Sequence, residues 1–124
     1  MRVLLDTHLL LWALASPRRL SSKARQRIES SEVFASAASI WEISIKSSLG
    51  KLQANPAEVL SGIEPAGFDH LHVIGEHAAE VVNLPHLHKD PFDRLLVAQA
   101  SVEKMILLTN DDTLGGYGDF VEVV

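Results

Sequence analysis

Short apolar runs punctuate the chain, and between them apolar residues recur every three or four positions. Four runs, Arg2–Leu5, Val33–Ser36, Leu71–Ile74 and Met105–Leu108, predict buried strands, and a fifth, Val121–Val124, closes the sequence. Helical spacing fills the intervals. A first helix is expected from about Thr7 to Ala15, stopped by Pro17, and a second from about Ser22 to Ser30, entered through Ser21-Ser22. A third follows Ser39-Ile40-Trp41-Glu42, the spelling of a capping box, and ends at Gly50. A fourth begins near Pro56 and stops by Gly67, and a fifth covers Glu76 to Val82. The sixth opens with Asp90 as N-cap and Pro91 at the first helical position, then carries an apolar stripe through Leu96, Val97 and Ala100.

Strands alternating with helices predict a three-layer α/β/α sandwich around a mainly parallel, roughly five-stranded sheet. The unbroken runs Val3-Leu4-Leu5 and Ile106-Leu107-Leu108 suit strands buried on both faces. No repeat, low-complexity tract or long polar linker divides the 124 residues, so a single domain over 1–124 is expected. Hydrophobic residues make up 47% of the chain, which favours a folded state over disorder. The absence of cysteine excludes disulfides, thiolate zinc sites and a cysteine nucleophile, and suits a reducing compartment. Asp6 interrupts what a signal peptide would need as its apolar run, and Leu9 to Ala15 is too short to cross a membrane. A cytoplasmic protein with no membrane partner is the expectation.

A net charge of -5 opposes binding nucleic acid by bulk attraction to phosphate. The distribution softens that objection. Five of the eleven basic residues (Arg18, Arg19, Lys23, Arg25 and Arg27) lie in one short segment, and fifteen of the sixteen acids follow it. Such a segment reads either as a solvated helix face or as a basic arm beside an acidic pocket.

Four acids stand where the strand pattern matters. Asp6 follows the first strand, Glu42 falls in the first turn expected for the third helix, Asp93 opens the sixth, and Asp111 lies just past the Met105–Leu108 strand. In open parallel sheets, ligands bind beyond the carboxyl ends of the strands. Each acid also has a local explanation. Asp6 can cap a helix, Glu42 can pair with Lys46, Asp93 favours a helix dipole, and Asp111 and Asp112 suit a turn. Jointly, carboxylates gathered at one edge repel one another and call for a hard divalent cation, which takes oxygen ligands. Magnesium or manganese in such a site suits phosphodiester hydrolysis.

Leu4-Leu5-Asp6-Thr7-His8, Ser39-Ile40-Trp41-Glu42-Ile43, Asp90-Pro91-Phe92-Asp93-Arg94-Leu95-Leu96-Val97-Ala98-Gln99-Ala100 and Thr109-Asn110-Asp111 resemble, in order, the acidic motifs of PIN-domain proteins. The resemblance is greatest to the VapC-type ribonuclease toxins of toxin–antitoxin pairs. The Asp-Pro-Phe-Asp-Arg segment is its most specific part. The resemblance implies an endoribonuclease dependent on magnesium or manganese, leaving a 3′-hydroxyl and a 5′-phosphate. It also implies a homodimer and a small cognate antitoxin. Asp6, Glu42, Asp93 and Asp111 match the catalytic, metal-binding positions, and Thr7 and Thr109 match supporting hydroxyls. Asp90 can reach the metal or only cap its helix, and Asp112 duplicates Asp111. Arg94 can contact RNA phosphate, receive an antitoxin carboxylate, or neutralise Asp90 and Asp93.

Other chemistries fit less well. His70 with His72, and His86 with His88, have metal-ligand spacings but no convincing third ligand for zinc. Gly50-Lys51 lacks the rest of a phosphate loop, and no nucleophile elbow is present. A phosphoacceptor domain wants a paired acid after the first strand and a lysine near the last; Thr7-His8 and Thr109-Asn110-Asp111 supply neither. The remaining alternative is a non-catalytic interaction module whose acids cap helices. Trp12 and Trp41 read as core or interface residues before they read as base-stacking platforms.

Overall fold

A computed structural model describes residues 1–124. In chain order the elements are β1 (Arg2–Leu5), α1 (Thr7–Ala15), α2 (Ser22–Glu29), β2 (Glu32–Ser36), α3 (Ala37–Ser48), α4 (Pro56–Ile63), β3 (Asp69–Leu71), α5 (Gly75–Glu80), α6 (Pro91–Glu103), β4 (Ile106–Thr109) and β5 (Val121–Val123). Short 3-10 turns occupy Pro17–Arg19, Val81–Asn83 and Asp112–Tyr117. The five strands form one sheet in the order β3-β2-β1-β4-β5, and every neighbouring pair is parallel.

The central strand shows why the molecule has three layers. Val3, Leu4 and Leu5 are fully buried, and a strand turns successive side chains to opposite faces. Val3 and Leu5 join Leu9, Leu10, Ile43 and Ile63 in one core beneath α1, α3 and α4. Leu4 joins Leu96, Val97, Ala100, Leu107 and Leu114 in a second core under α6. The chain steps outward from β1 to β2 and β3, then returns to β4 on the other side of β1. The strand order therefore reverses between β1 and β4, the crevice where such sheets bind ligands.

Two expected elements sit elsewhere. The third strand is Asp69–Leu71 rather than Leu71–Ile74, with His70 opposite Ala35 and Leu71 opposite Ser36. It lies at the sheet edge, where one face need not be apolar, so polar residues serve. Val73 and Ile74, the most apolar part of the run, are instead exposed. The third helix starts at Ala37, directly off β2, with Ser36 accepting from the Ala38 N–H as its cap. The capping box from Ser39 to Glu42 therefore does not form, and Glu42 stands in the second turn rather than the first. The other helices begin and end within a few residues of their expected bounds, the fifth continuing as a 3-10 turn to Asn83.

A buried polar thread ties these layers together. The Ser36 hydroxyl donates to Gln99 Oε1, and the Gln99 amide lies 3.3 Å from His77 Nδ1. His77 Nε2 meets Glu103 at 2.7 Å, and Nδ1 accepts from the Ile74 N–H. Arg2, exposed at the start of β1, donates to the Glu103 carbonyl. No helix is long and apolar enough to cross a membrane.

Helix α6 ends on Lys104, held in the left-handed region at φ 56° and ψ 48°. A side chain there costs energy that glycine avoids, against glycine's larger entropy in the unfolded chain. Lys104→Gly should raise the unfolding free energy by about 0.5–1 kcal/mol in urea titration. A loss of stability would mean that the Lys104 side chain holds something the geometry does not account for.

Candidate metal centre

Asp6 and Thr7 are where β1 becomes α1, and both are buried. One Asp6 carboxylate oxygen accepts from the Leu9 N–H at 2.9 Å, capping α1, and the other accepts from the Thr109 hydroxyl at the end of β4. Thr7 donates to Glu42 Oε1 at 2.6 Å and also lies 2.9 Å from the Ser39 hydroxyl. The second oxygen of Glu42 meets Lys46, one helical turn on, in an ion pair. Both expected supporting hydroxyls thus lie against an acid. Ser39, deprived of its capping role, joins them from the first turn of α3.

The other two acids are less enclosed. Asp93 rises from the first turn of α6, whose cap is Asp90: one Asp90 oxygen accepts from the Phe92 and Asp93 N–H groups. Asp111 accepts from the Thr113 N–H, and its own N–H donates to Thr109. Between Asp93 and Asp111 stands His88, whose Nε2 lies 3.6 Å from the first carboxylate and 3.3 Å from the second. His88, Asp93 and Asp111 can each offer a ligand atom within 4.8 Å of the others. Asp112 is exposed.

The electrostatics bear the mark of crowding. Burial pushes the Asp93 carboxyl up to about 7, reinforced by repulsion from Asp90, Glu42 and, more weakly, Asp6, with His88 working the other way. Burial also raises Asp6, against the hydrogen bonds from Thr109 and Leu9. Lys46 is raised by its hydrogen bond to Glu42 and by the charges of Asp90 and Asp93. Asp6, Glu42, Asp90 and Asp93 therefore feel one another across α1, α3 and α6, while Asp111 joins through His88. A donor set of carboxylate oxygens that are costly to ionise together fits a hard divalent cation.

Arg94 does not face the acids. Its buried guanidinium donates to the carbonyls of Val81 and Pro85 and to the Tyr117 hydroxyl, so neither a contact with an incoming anion nor neutralisation of Asp90 and Asp93 describes it. The side chain points away because the loop over 81–88 offers the Val81 and Pro85 carbonyls, and a fork of N–H groups reaches both together with the Tyr117 hydroxyl. Much of the basic segment is similarly occupied. Arg27 and Lys23 pair with Glu122, Arg25 donates to the Pro17 carbonyl, and Arg19 lies over the Trp12 ring at 4.7 Å. His70 and His72 stack in parallel without a third ligand. Trp41 is 58% exposed and packs edge-on against Phe92, which removes it from the core.

His88, Lys46, Ser39 and Tyr117 are absent from the residues the sequence singles out as site residues. Lys46 is legible as an i, i+4 partner of Glu42, and His88 as a loop anchor before Asp90. Their position against the acids depends on how the loop and α3 pack, which spacing does not carry.

The fold and the acid cluster together define a class, and comparison with known proteins agrees. The family model for the PIN domain matches residues 3–118, and the chain belongs to the PIN-domain family. It is 36% identical over 117 residues to Ribonuclease VapC22 of Mycobacterium tuberculosis, an alignment spanning 90% of this chain and 88% of that protein. Its fold is similar to a crystal structure of VapBC2 from Rickettsia felis bound to a DNA fragment from their promoter. There the TM-score is 0.70 at 13% identity, covering 100% of this chain and 98% of that one. FitAcB from Neisseria gonorrhoeae is similar at a TM-score of 0.65 and 20% identity, with 98% and 95% covered.

Two outcomes follow from this geometry. The folded protein holds a proton on Asp93 up to about pH 7, whereas an unfolded chain releases it near ~4. The folded state binds more protons in that window, so stability without metal should fall as pH rises through it. Thermal unfolding in chelator should show this decline, and Asp93→Asn should flatten it; an unchanged slope would place the titration elsewhere. Separately, Arg94→Ala should cost on the order of 2 kcal/mol in urea, because two part-buried carbonyls and the Tyr117 hydroxyl lose a charged donor. A neutral result would deny Arg94 its structural role.

Proposed function

We propose that this chain is a metal-dependent endoribonuclease acting as the toxin of a toxin–antitoxin pair, with Asp6, Glu42, Asp93 and Asp111 as its metal-binding and catalytic acids. The observation that carries the reading is the convergence of acids from four separate segments at the reversal of strand order, with Asp93 raised to about 7. Identity to a protein named as a ribonuclease supports it. Capping alone explains Asp6, Asp90 and Asp111, which accept backbone N–H groups, but not Glu42 or Asp93, which cap nothing.

Magnesium or manganese bound by these carboxylates would supply Lewis acidity, polarising the phosphate and lowering the pKa of a bound water. The chain's own residues prepare the place. Thr7 and Thr109 hold Glu42 and Asp6 in fixed rotamers, so no reorganisation is needed when the cation arrives. Lys46 pairs with Glu42 and would offer a positive charge near the phosphate. Hydrolysis adds water oxygen to phosphorus and releases the 3′ oxygen with a proton, leaving a 5′-phosphate and a 3′-hydroxyl. Asp90 serves as the helix cap that presents Asp93.

The proposed partners are RNA, a small antitoxin and a second copy of the chain, in the cytoplasm. Two open grooves, the first apolar and the second of mixed character, support partner binding. One, of about 500 Å³, includes Ile40, Trp41, Leu60 and Leu71; the other, of about 840 Å³, includes Trp12, Leu14 and Val59. The proposal extends to one domain spanning the whole chain.

Purified, antitoxin-free protein incubated with total RNA should cut it only when magnesium or manganese is present, and Asp6→Asn should fold yet lose at least ~100-fold in rate. Either ion should raise the melting temperature of the wild type. RNA left intact, with no metal-induced stabilisation, would shift the reading to the capped interaction module. Expression without antitoxin should arrest growth, and a neighbouring small reading frame should relieve it.

A further inference from the structure

His88 lies in a loop between two acids that belong to different elements, and its surroundings fix both nitrogens of its ring. Its backbone N–H donates to the Tyr117 hydroxyl at 3.1 Å, and Tyr117 is in turn held by Arg94. Its Nδ1 lies 3.0 Å from the Asp90 N–H, a group that can only donate. Nδ1 must therefore present its lone pair, which leaves the ring proton on Nε2. That nitrogen is the one placed 3.3 Å from Asp111 and 3.6 Å from Asp93. For Nε2 to bind a cation directly it would need the lone pair, and Nδ1–H would then confront the Asp90 N–H, donor against donor.

We propose that His88 is a positioning residue, not a ligand: its Nε2–H faces the Asp93 and Asp111 carboxylates at 3.6 and 3.3 Å and, by charge attraction, draws both toward a common point where they can share one divalent ion. The inference rests on the metal-dependent nuclease reading and deepens it. Asp111 belongs to a loop past β4 and its side chain is 39% exposed, so it has the most freedom to lose on binding a cation. Asp93 is fixed in α6. An N–H between the two reduces their mutual repulsion and orders Asp111 before the cation arrives. Partners that orient metal-ligating carboxylates in this way contribute about 10–100-fold to metal affinity. Arg94 then has a consequence for the site as well as for the loop, because the run from Arg94 through Tyr117 to His88 sets the height of the ring.

Two substitutions separate the two nitrogens. His88→Asn retains an acceptor where Nδ1 sits, able to take the Asp90 N–H in an Asx turn, but reaches neither carboxylate. His88→Gln retains a donor near Nε2 and loses the acceptor for the Asp90 N–H. Manganese affinity, measured by calorimetry on the whole protein, should fall about tenfold or more in His88→Asn with the metal-free melting temperature little changed. His88→Gln should show the converse, a lowered melting temperature with affinity largely kept. Pulsed electron paramagnetic resonance of the manganese-loaded wild type should detect no directly bonded nitrogen. Nitrogen-15 spectra of the metal-free protein should show Nε2 protonated and Nδ1 bare. Direct nitrogen coordination, the opposite tautomer, or equal loss of affinity in both variants would overturn the assignment. Manganese binding indifferent to His88→Asn would overturn this inference alone. A wild type that binds no manganese would overturn the metal reading and the inference with it.

Discussion

Burying two carboxylates a few residues from the hydrophobic centre of the sheet is the constraint on which the rest of this structure turns. Asp6 and Glu42 are each 3% exposed, and a carboxylate buried with its oxygens bare is costly. The chain answers with donors of several kinds: a helix N-terminus and a threonine hydroxyl for Asp6, a threonine hydroxyl and a lysine ammonium for Glu42. Each donor comes from an element that must arrive in register. Thr109 serves Asp6 only because β4 lies beside β1 with Leu108 opposite Leu5. The parallel pairing and the chemistry of the edge are therefore one problem with one solution.

The acids divide into a rigid pair and a looser pair. Asp6 and Glu42 have both oxygens engaged. Asp93 is anchored through its backbone, and Asp111 hangs from a turn. That asymmetry suits a site that takes a cation between a fixed wall and an adjustable one. It also explains why the Asp93 carboxyl is pushed up to about 7: it is half enclosed, has few donors of its own, and faces three other carboxylates.

Much of this was legible in the sequence because local chemistry and tertiary role coincide. Asp90-Pro91 announces a helix start that the structure keeps, and Val3-Leu4-Leu5 announces a strand covered on both faces. Where they part, the pattern misleads. Ser39 and Glu42 spell a cap, yet Ser36 had already turned the strand into a helix, and the same two side chains face Thr7 instead. Val73 and Ile74 look like strand and lie exposed, while Asp69 and His70, ahead of the expected run, pair with β2. Arg94 is drawn by its neighbours in sequence toward the acids, and by carbonyls remote in sequence away from them. Backbone acceptors left by a loop leave no trace in residue types, so no reading of spacing could have found them.

The contact between Ser36 and Gln99 has a consequence for tolerance to change. Ser36, the last residue of β2 and the cap of α3, precedes Glu42 by six residues, and Gln99 follows Asp93 by six on α6. The two acid-bearing rods thus share a single buried datum, and the separation of their charges is measured from it. A slip of α6 by one turn would carry Asp93 about 5.4 Å along its axis, beyond the reach of any shared ion. Insertion of even one residue between the datum and either acid would spin that carboxylate to another side of its helix.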